Sequence, residues 1–231
     1  MKHYVISVGR NCQHNINKFH RCLRKQVVDW HCIVVDDAST DNTYKYLKAL
    51  PQDNFTIIRN SEQRWAAFNR YQALQTIEES EKVVVSLLDL DDLLVDHALN
   101  KVQLHYAQTG CKLTMGQFVT KGGARKHPFY SRKEIQNNQF SRSFKFPHLR
   151  TFDLDLALTH TEDNFKINDQ WMKTCTDVAF CLPLLKEVNC DQVSQIDEIL
   201  YIYDNSLKTN STKVFGGKEK KKLFQEYCRR F

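Results

Sequence analysis

Four short β-branched runs in the first half of the chain restrict its fold more than any other feature: HYVISV (3–8), CIVV (32–35), FTII (55–58) and VVVSLL (83–88). Each is continuously apolar rather than alternating, the pattern of strands covered on both faces. Helical patterns separate them. DNTYKYLKAL follows Ser39, Thr40 and Asp41, side chains suited to capping a helix start. In RWAAFNRYQALQTIEES, Ala66, Ala73, Leu74 and Ile77 fall on one helical face. Val95, Leu99, Val102 and Tyr106 recur at i, i+4, i+7 and i+11 and predict an amphipathic helix. Strands alternating with helices give βαβ units, hence an α/β fold: a Rossmann-like domain whose central sheet is mostly parallel and flanked by helices.

The second half is less regular. LTMGQFV (113–119) and EILYIYD (198–204) read as strands, residues 121–150 as a basic, polar excursion, and Trp171 to Val188 as a helix interrupted at Pro183. The C-terminal GGKEKKKLFQEYCRRF breaks at Gly-Gly and continues rich in lysine. With 7 Gly and 4 Pro in 231 residues, little of the chain is linker. One domain is expected over residues 1–214, with a nucleotide-side half (1–110), a more irregular half (111–214) and a basic tail (215–231).

Composition removes several function classes. A hydrophobic content of 42% is that of a soluble globular chain. The net charge of +6 suits an anionic ligand but is a weak footprint for nucleic acid, and no nucleic-acid partner is expected. No run approaches the roughly 20 apolar residues of a membrane span. MKHYVISVGRNC also lacks the apolar core of a signal peptide. Eight cysteines are scattered without a CxxC or a zinc-like spacing, and Cys32 lies in an apolar run, where a thiol acts as a small hydrophobe. Free thiols and a cytoplasmic location are the expectation. Lysines beside Leu223 and Phe224 give the tail the makings of a contact with an anionic membrane surface, against the plainer reading of a solvated helix end.

The chemistry is expected beyond the carboxyl ends of the strands, where open α/β sheets bind their ligands. VVDDASTD puts Asp36 and Asp37 after the second run, and LLDLDD puts Asp89, Asp91 and Asp92 after the fourth. Carboxylates at a strand end can accept from a ribose hydroxyl or a base N–H. Asp89 and Asp91, two residues apart, can project together and gather a divalent cation. Oxygen ligands in an incomplete shell favour Mg²⁺ or Mn²⁺, with phosphate oxygens completing the octahedron. The competing reading is loop solvation and, for Asp92, a helix start, where negative charge gains about 0.3–1 kcal/mol.

CIVVDDASTDNT resembles the second-strand signature of the GT-A fold glycosyltransferases, family 2 in particular: hydrophobics, then Asp-Asp-x-Ser-x-Asp. NSEQRWAAFNRYQAL is similar to that family's Asn…Ala-Ala-x-Asn helix start, and LLDLDD supplies its Asp-x-Asp. FPHLRTFDLDL, TDVAFCLPLLKEV and EILYIYDNSLKTN resemble blocks of small single-domain members found in large DNA viruses and bacteria. The resemblance covers residues 3–214.

It implies a metal-dependent transfer of a sugar from a nucleotide diphosphate sugar, a UDP-sugar foremost, to a hydroxyl of a glycan, lipid-linked or protein-linked acceptor. By position, Asp37, with Asp36 as the alternative, would meet uracil or ribose. Asp89 would contact the ribose or reach the metal through water, and Asp91 would ligate it. Arg64 and Asn69 lie where the loop after the third strand approaches the nucleotide. Asp177 falls where inverting members carry the carboxylate that deprotonates the acceptor hydroxyl. Arg150 and His148 are placed as partners of the diphosphate or donor sugar.

Plainer roles compete: Asp177 as a helix cap, Arg150 in a surface pair with Asp153 or Asp155, His148 as a structural hydrogen-bonder. The sequence also departs from the family pattern. VGRNCQHN stands where a Pro-Thr-x-Asn-like loop is usual, so Arg10 becomes the candidate to reach phosphate or base. Phe68 takes the place of a basic residue, for which Arg64 or Arg70 can substitute, and Thr176-Asp177 stands where Glu-Asp is common. Two other functions stay open. A nucleotidyltransferase would want a Gly-rich triphosphate loop, and VGRNCQHN has one glycine. A non-catalytic nucleotide-sugar-binding module would keep the scaffold without turnover.

Overall fold

The computed structural model describes residues 1–78, 81–124, 126–137, 139–140, 145–204 and 217–230. All four β-branched runs are strands. β1 (Lys2–Gly9) leads through α1 (Ile16–Arg24) to β2 (Trp30–Asp36), then through α2 (Thr43–Lys48) to β3 (Phe55–Arg59) and through α3 (Trp65–Gln75) to β4 (Val83–Asp89). These four pair in parallel in the order β3-β2-β1-β4. Their residues feed two cores. Tyr4, Ile6 and Val8 pack on one face with Ala73 and Leu74 of α3, while Val5 and Val34 pack on the other with Phe19 and Leu23 of α1. That double burial is why the runs are unbroken by polar residues.

The second half continues the same sheet. It comprises β5 (Leu93–Leu94), α4 (Ala98–Thr109), β6 (Leu113–Thr120), β7 (Gly123–Ala124), α5 (Arg132–Gln136), β8 (Arg150–Asp153) and α6 (Leu154–Ala157). A two-stranded hairpin follows, β9 (Lys166–Ile167) and β10 (Gln170–Trp171), then α7 (Thr176–Glu187), β11 (Val193–Ile202) and α8 (Gly217–Cys228). Among the described residues the large sheet runs β3-β2-β1-β4-β8-β6-β11-β5, with β7 paired to β6. β8 is antiparallel to both its neighbours. Its first residues therefore arrive at the edge where the parallel strands end.

Several expectations are corrected. The helix expected from Trp171 starts only at Thr176, because Asn168 and Asp169, both at positive φ, turn the chain into the hairpin that holds Trp171. Pro183 does not interrupt α7. A proline leaves the carbonyl four residues earlier without its helical donor; here that carbonyl, Ala179 O, lies 3.4 Å from the Tyr227 hydroxyl, which bonds Asn164 O at 2.6 Å. β8 emerges from the end of the stretch read as a polar excursion. The late strand begins at Val193, five residues before the apolar run, and its register with β6 shifts between Gln195 and Tyr201.

The segment read as a basic tail is largely α8. Its Phe224, Tyr227 and Cys228 are buried in the core that also holds α3 and α7. Phe224, one of the two apolar residues a lipid contact would use, is thus turned inward. The domain boundary at 214 and the NSLKTN part of the last family-like block lie outside the described residues. No helix among the described residues is long and apolar enough to cross a membrane. All eight cysteines are free thiols.

Candidate active site

Parallel pairing brings the two acidic clusters to one edge: Gly9 of β1 is in register with Asp36, and Val8 with Asp89. The antiparallel β8 adds Arg150 opposite Leu87 at the same edge. A cleft of about 370 Å³ opens there, with Arg10, Asp37, Arg70, Asp89, Asp91 and Asp177 among its walls.

Gly9 sits between the two clusters. Its carbonyl accepts from the Asp37 N–H at 2.9 Å, and a Cβ on it would lie 2.5 Å from Leu90 Cβ, so only glycine lets the DLDD loop close against β1. Asp37 is nearly buried and already well supplied with donors. Oδ1 accepts from the Arg64 N–H and from Asn60 Nδ2, both at 2.8 Å, and Oδ2 from the Trp65 N–H at 3.0 Å. It thereby satisfies amides at the start of α3, groups a helix leaves orphaned. Asn69 is buried behind, its Oδ1 accepting from the same Asn60 at 2.7 Å. Asp36 is fully buried beside Arg59 Nε at 3.5 Å, away from the cleft lining. The Arg64 side chain pairs with Glu62 and lies over the Phe68 ring, also off the cleft wall. Arg10 does line the cleft, its Nε donating to Ala38 O at 3.3 Å.

The DLDD loop divides its carboxylates by role. Leu90 is buried and donates its N–H to Val8 O, which leaves Asp89 and Asp91 half-buried on the cleft wall. Asp92 points inward: Oδ2 accepts from the Tyr201 hydroxyl at 2.6 Å and Oδ1 from the Asp204 N–H at 2.7 Å. This replaces the helix-start role considered for it; α4 begins only at Ala98. Oxygens of Asp89, Asp91 and Asp92 all lie within 4.8 Å of one another. Burial, then the charge of Asp89, raises Asp91 to about 7, and burial with the charges of Asp89 and Asp91 raises Asp92 to about 8. Crowded anionic oxygens of this kind fit a hard divalent cation. Asp89 and Asp91 are the residues that would hold it, because both Asp92 oxygens are committed elsewhere.

Asp177 stands in the first turn of α7, not at its cap, which is Cys175. Its Oδ1 accepts from Arg70 Nη1 and from Arg150 Nη1, both at 3.1 Å. Burial by itself would raise the carboxyl's pKa. Arg150 first and Arg70 next overrule that and hold it far below the usual carboxylate range. Arg150 is 1% exposed, braced by Phe146 O and set against both ring nitrogens of His148. Burial, then the Arg150 charge, pushes His148 well below the ordinary imidazole value, so it is neutral. The surface pair of Arg150 with Asp153 or Asp155 does not form; Asp177 is its partner.

Residues 4–166 match the sequence model of Glycosyl transferase family 2. The chain belongs to that family. This family 2 chain is similar in structure to S. aureus TarS 1–349 in complex with UDP-GlcNAc: TM-score 0.71, 19% identity, covering 90% of this chain and 59% of that one. TarS 1–349 in complex with UDP gives a TM-score of 0.69 at 19% identity, covering 89% and 61%, and TarS 1–349 without a named ligand 0.69 at 18%, covering 88% and 60%. The family 2 chain thus spans about 60% of the TarS 1–349 structures it resembles. These likenesses speak to the fold, which is of GT-A type. No curated protein sequence matches the chain significantly.

Three residues of the family 2 chain escaped the sequence reading or were only grazed by it. Arg70, considered just as a spare positive charge, is 4% exposed and joins Asp177 to Asp89. Lys173, set over the Trp65 ring at 5.7 Å, and Lys220 of α8 also line the cleft. Asn11, Ala38, Trp65 and Cys175, in the loops and at the helix starts around it, all adopt positive φ. For non-glycine residues this costs on the order of 1–3 kcal/mol each, a strain that concentrates at functional sites. A second cavity, of about 510 Å³, meets the first at His148, Cys175, Asp177, Tyr203 and Lys220.

Proposed function

We propose that this glycosyltransferase moves a sugar from a UDP-sugar to an acceptor hydroxyl with inversion at the anomeric carbon, assisted by Mn²⁺ or Mg²⁺ at Asp89 and Asp91. The observation that carries the proposal is the position of Asp177, a carboxylate shared by the acidic cleft and the adjoining cavity. TarS, of the same fold, was solved with UDP-GlcNAc and with UDP, which supports a UDP-linked donor in the cleft.

A cation bound at Asp89 and Asp91 would neutralise charge building on the departing diphosphate. The remaining steps use side chains. Asp37 fixes the start of α3 and offers its cleft-facing edge to the nucleoside. Arg10, Lys173 and Lys220 supply positive charge along the walls for the diphosphate. The acceptor oxygen attacks the anomeric carbon opposite the leaving oxygen. As that C–O bond forms, the bond to the diphosphate breaks with its electron pair, and the hydroxyl proton passes to Asp177. Held ionised by Arg70 and Arg150, Asp177 is a weak base that is always ready, so it takes the proton late, when attack has made the hydroxyl acidic. Arg64, Asn69 and Asp36 act on the nucleotide indirectly, by setting the loops that reach it.

Calorimetry of UDP with and without Mn²⁺ tests the donor site, and UDP release from a panel of UDP-sugars tests turnover. Mn²⁺-dependent UDP binding that disappears in Asp91→Ala is the expected result. Binding of UDP with no release from any UDP-sugar would leave a binding module in place of an enzyme.

A further inference from the structure

We propose that the outer face of α1, together with the adjoining edge of α4, is a docking surface for an anionic lipid bilayer. The surface lies away from the cleft walls, and the inference does not depend on the reaction carried out there.

Helical spacing builds the charged part. Ile16, Phe19, Cys22 and Leu23 are the buried side of α1. Lys18, Arg21, Arg24 and Lys25 are all exposed and fall on the opposite side, within an arc of roughly 120°. The helix, INKFHRCLR, carries no carboxylate of its own. Lys25 is paired with Asp96 at 2.9 Å. Lys18, Arg21 and Arg24 make no ion pair among the described residues. A row of like charges without counter-ions leaves its field open to an anionic partner.

Apolar tips stand at the end of this row. Val27 and Leu104, 70% and 61% exposed, are the most exposed large apolar side chains among the described residues. They are neighbours: the Val27 N–H donates to Asn100 Oδ1 at 3.1 Å, and Leu104 is one turn beyond Asn100 on α4. The segment that carries Val27 is braced rather than loose. Gln26 Nε2 donates to Val95 O, and Gln26 Oε1 accepts from the Leu99 N–H, both at 3.0 Å.

Charge and tips together choose the partner. At a bilayer, cations meet lipid phosphates while aliphatic side chains enter the boundary between headgroups and acyl chains. A nucleic acid would answer the charge, but valine and leucine offer its bases no ring to stack on. The cations of α1 and the aliphatic pair are therefore used at once only by a lipid surface.

The test is co-sedimentation of the full chain with vesicles of phosphatidylcholine, alone or mixed with phosphatidylglycerol. Binding to the mixed vesicles only is expected, weakening as salt rises. Each basic side chain near an anionic surface strengthens binding roughly fivefold, so Arg21→Glu/Arg24→Glu should weaken it by at least about 25-fold. Val27→Ser/Leu104→Ser keeps every charge and should weaken it about tenfold. Lys218→Glu/Lys222→Glu makes the same change in net charge on α8. It should bind within about threefold of the wild type at physiological salt, because charges beyond a Debye length are screened. All six positions are exposed, and unchanged urea midpoints will show that the variants fold. Binding to phosphatidylcholine alone, no binding, or equal losses in the α1 and α8 variants would overturn the proposal. So would a dimer dispersed by Val27→Ser/Leu104→Ser, which would give the face to a second copy of the chain. Capture of an RNA oligonucleotide in preference to mixed vesicles would overturn it as well.

Discussion

Arg70 Nη1 lies 3.1 Å from Asp177 Oδ1, and Nη2 of the same guanidinium binds Asp89 Oδ1. One side chain of α3 therefore couples the carboxylate of α7 to the acidic loop after β4, with the Thr176 hydroxyl as a further acceptor at 2.9 Å. Burial would tend to discharge this guanidinium, but the charges of Asp89 and then Asp177 more than offset it.

Removing Arg70 should be expensive. Arg70→Ala leaves Asp89 without its cation and Asp177 with Arg150 alone, and breaking a buried pair from one side costs about 3–5 kcal/mol. Urea unfolding should show a loss of that order. Arg70→Lys keeps the charge but not the fork that spans both partners, so it should retain more stability than Arg70→Ala and still transfer slowly. An unchanged urea midpoint in Arg70→Ala would mean the bridge contributes nothing.

Asp177→Asn separates chemistry from binding. The amide can still accept from Arg70 and Arg150 but cannot take a proton. UDP affinity should stay within about twofold while sugar transfer falls by about 10²–10⁴, the usual contribution of a positioned base. In the wild type, protonation of Asp177 should produce no fall in rate on the acid side down to about pH 4, because the two guanidiniums hold its pKa far below that. Steady-state transfer rates over pH check both statements; an acid limb that vanishes in Asp177→Asn would contradict the second.

Gly9→Ala tests how closely the two acidic loops depend on each other. The added methyl would collide with Leu90 Cβ, the residue between Asp89 and Asp91, and would press on the carbonyl that anchors Asp37. Overpacking of this kind costs about 1–3 kcal/mol. Mn²⁺-dependent UDP affinity should weaken by more than the thermal stability alone predicts. A variant with weaker stability but full UDP affinity would show that the loop shifts without disturbing the site.

The first four strands were legible because each is buried on both faces and so cannot carry polar residues. β8 was not: four residues, RTFD, are too few to show a period, and what makes them a strand is the gap between β4 and β6. Arg70 left a readable trace. It stands four residues after Ala66 and four before Leu74, on the face read as apolar, where a charge must find a partner. Lys220, Phe224 and Tyr227 likewise recur at i, i+4 and i+7, the spacing of one helical face. The lysine-rich composition around them hid that stripe. Which cavity the face would reach depends on contacts between residues more than forty apart in sequence, which no local pattern encodes.

His3 and His160 should make the fold sensitive to mild acid. His3 is 1% exposed and bonds Ser86 through Nε2 at 2.7 Å; His160 is 4% exposed among the rings of Phe165 and Phe180. Burial lowers His3 from 6.5 to about 3 and His160 from 6.5 to about 4. Above pH 6.5 both are neutral in either state and exert no pull. Below it the unfolded chain takes up protons that the folded protein refuses, so stability falls as pH drops, until about 4 for His160 and about 3 for His3. Each amounts by linkage to about 3–5 kcal/mol at most. Urea midpoints measured from pH 7 to 4 should decline for the wild type. His3→Gln/His160→Gln should decline less steeply over the same range, whatever its absolute stability, and parallel curves would show that these two imidazoles do not govern the acid response.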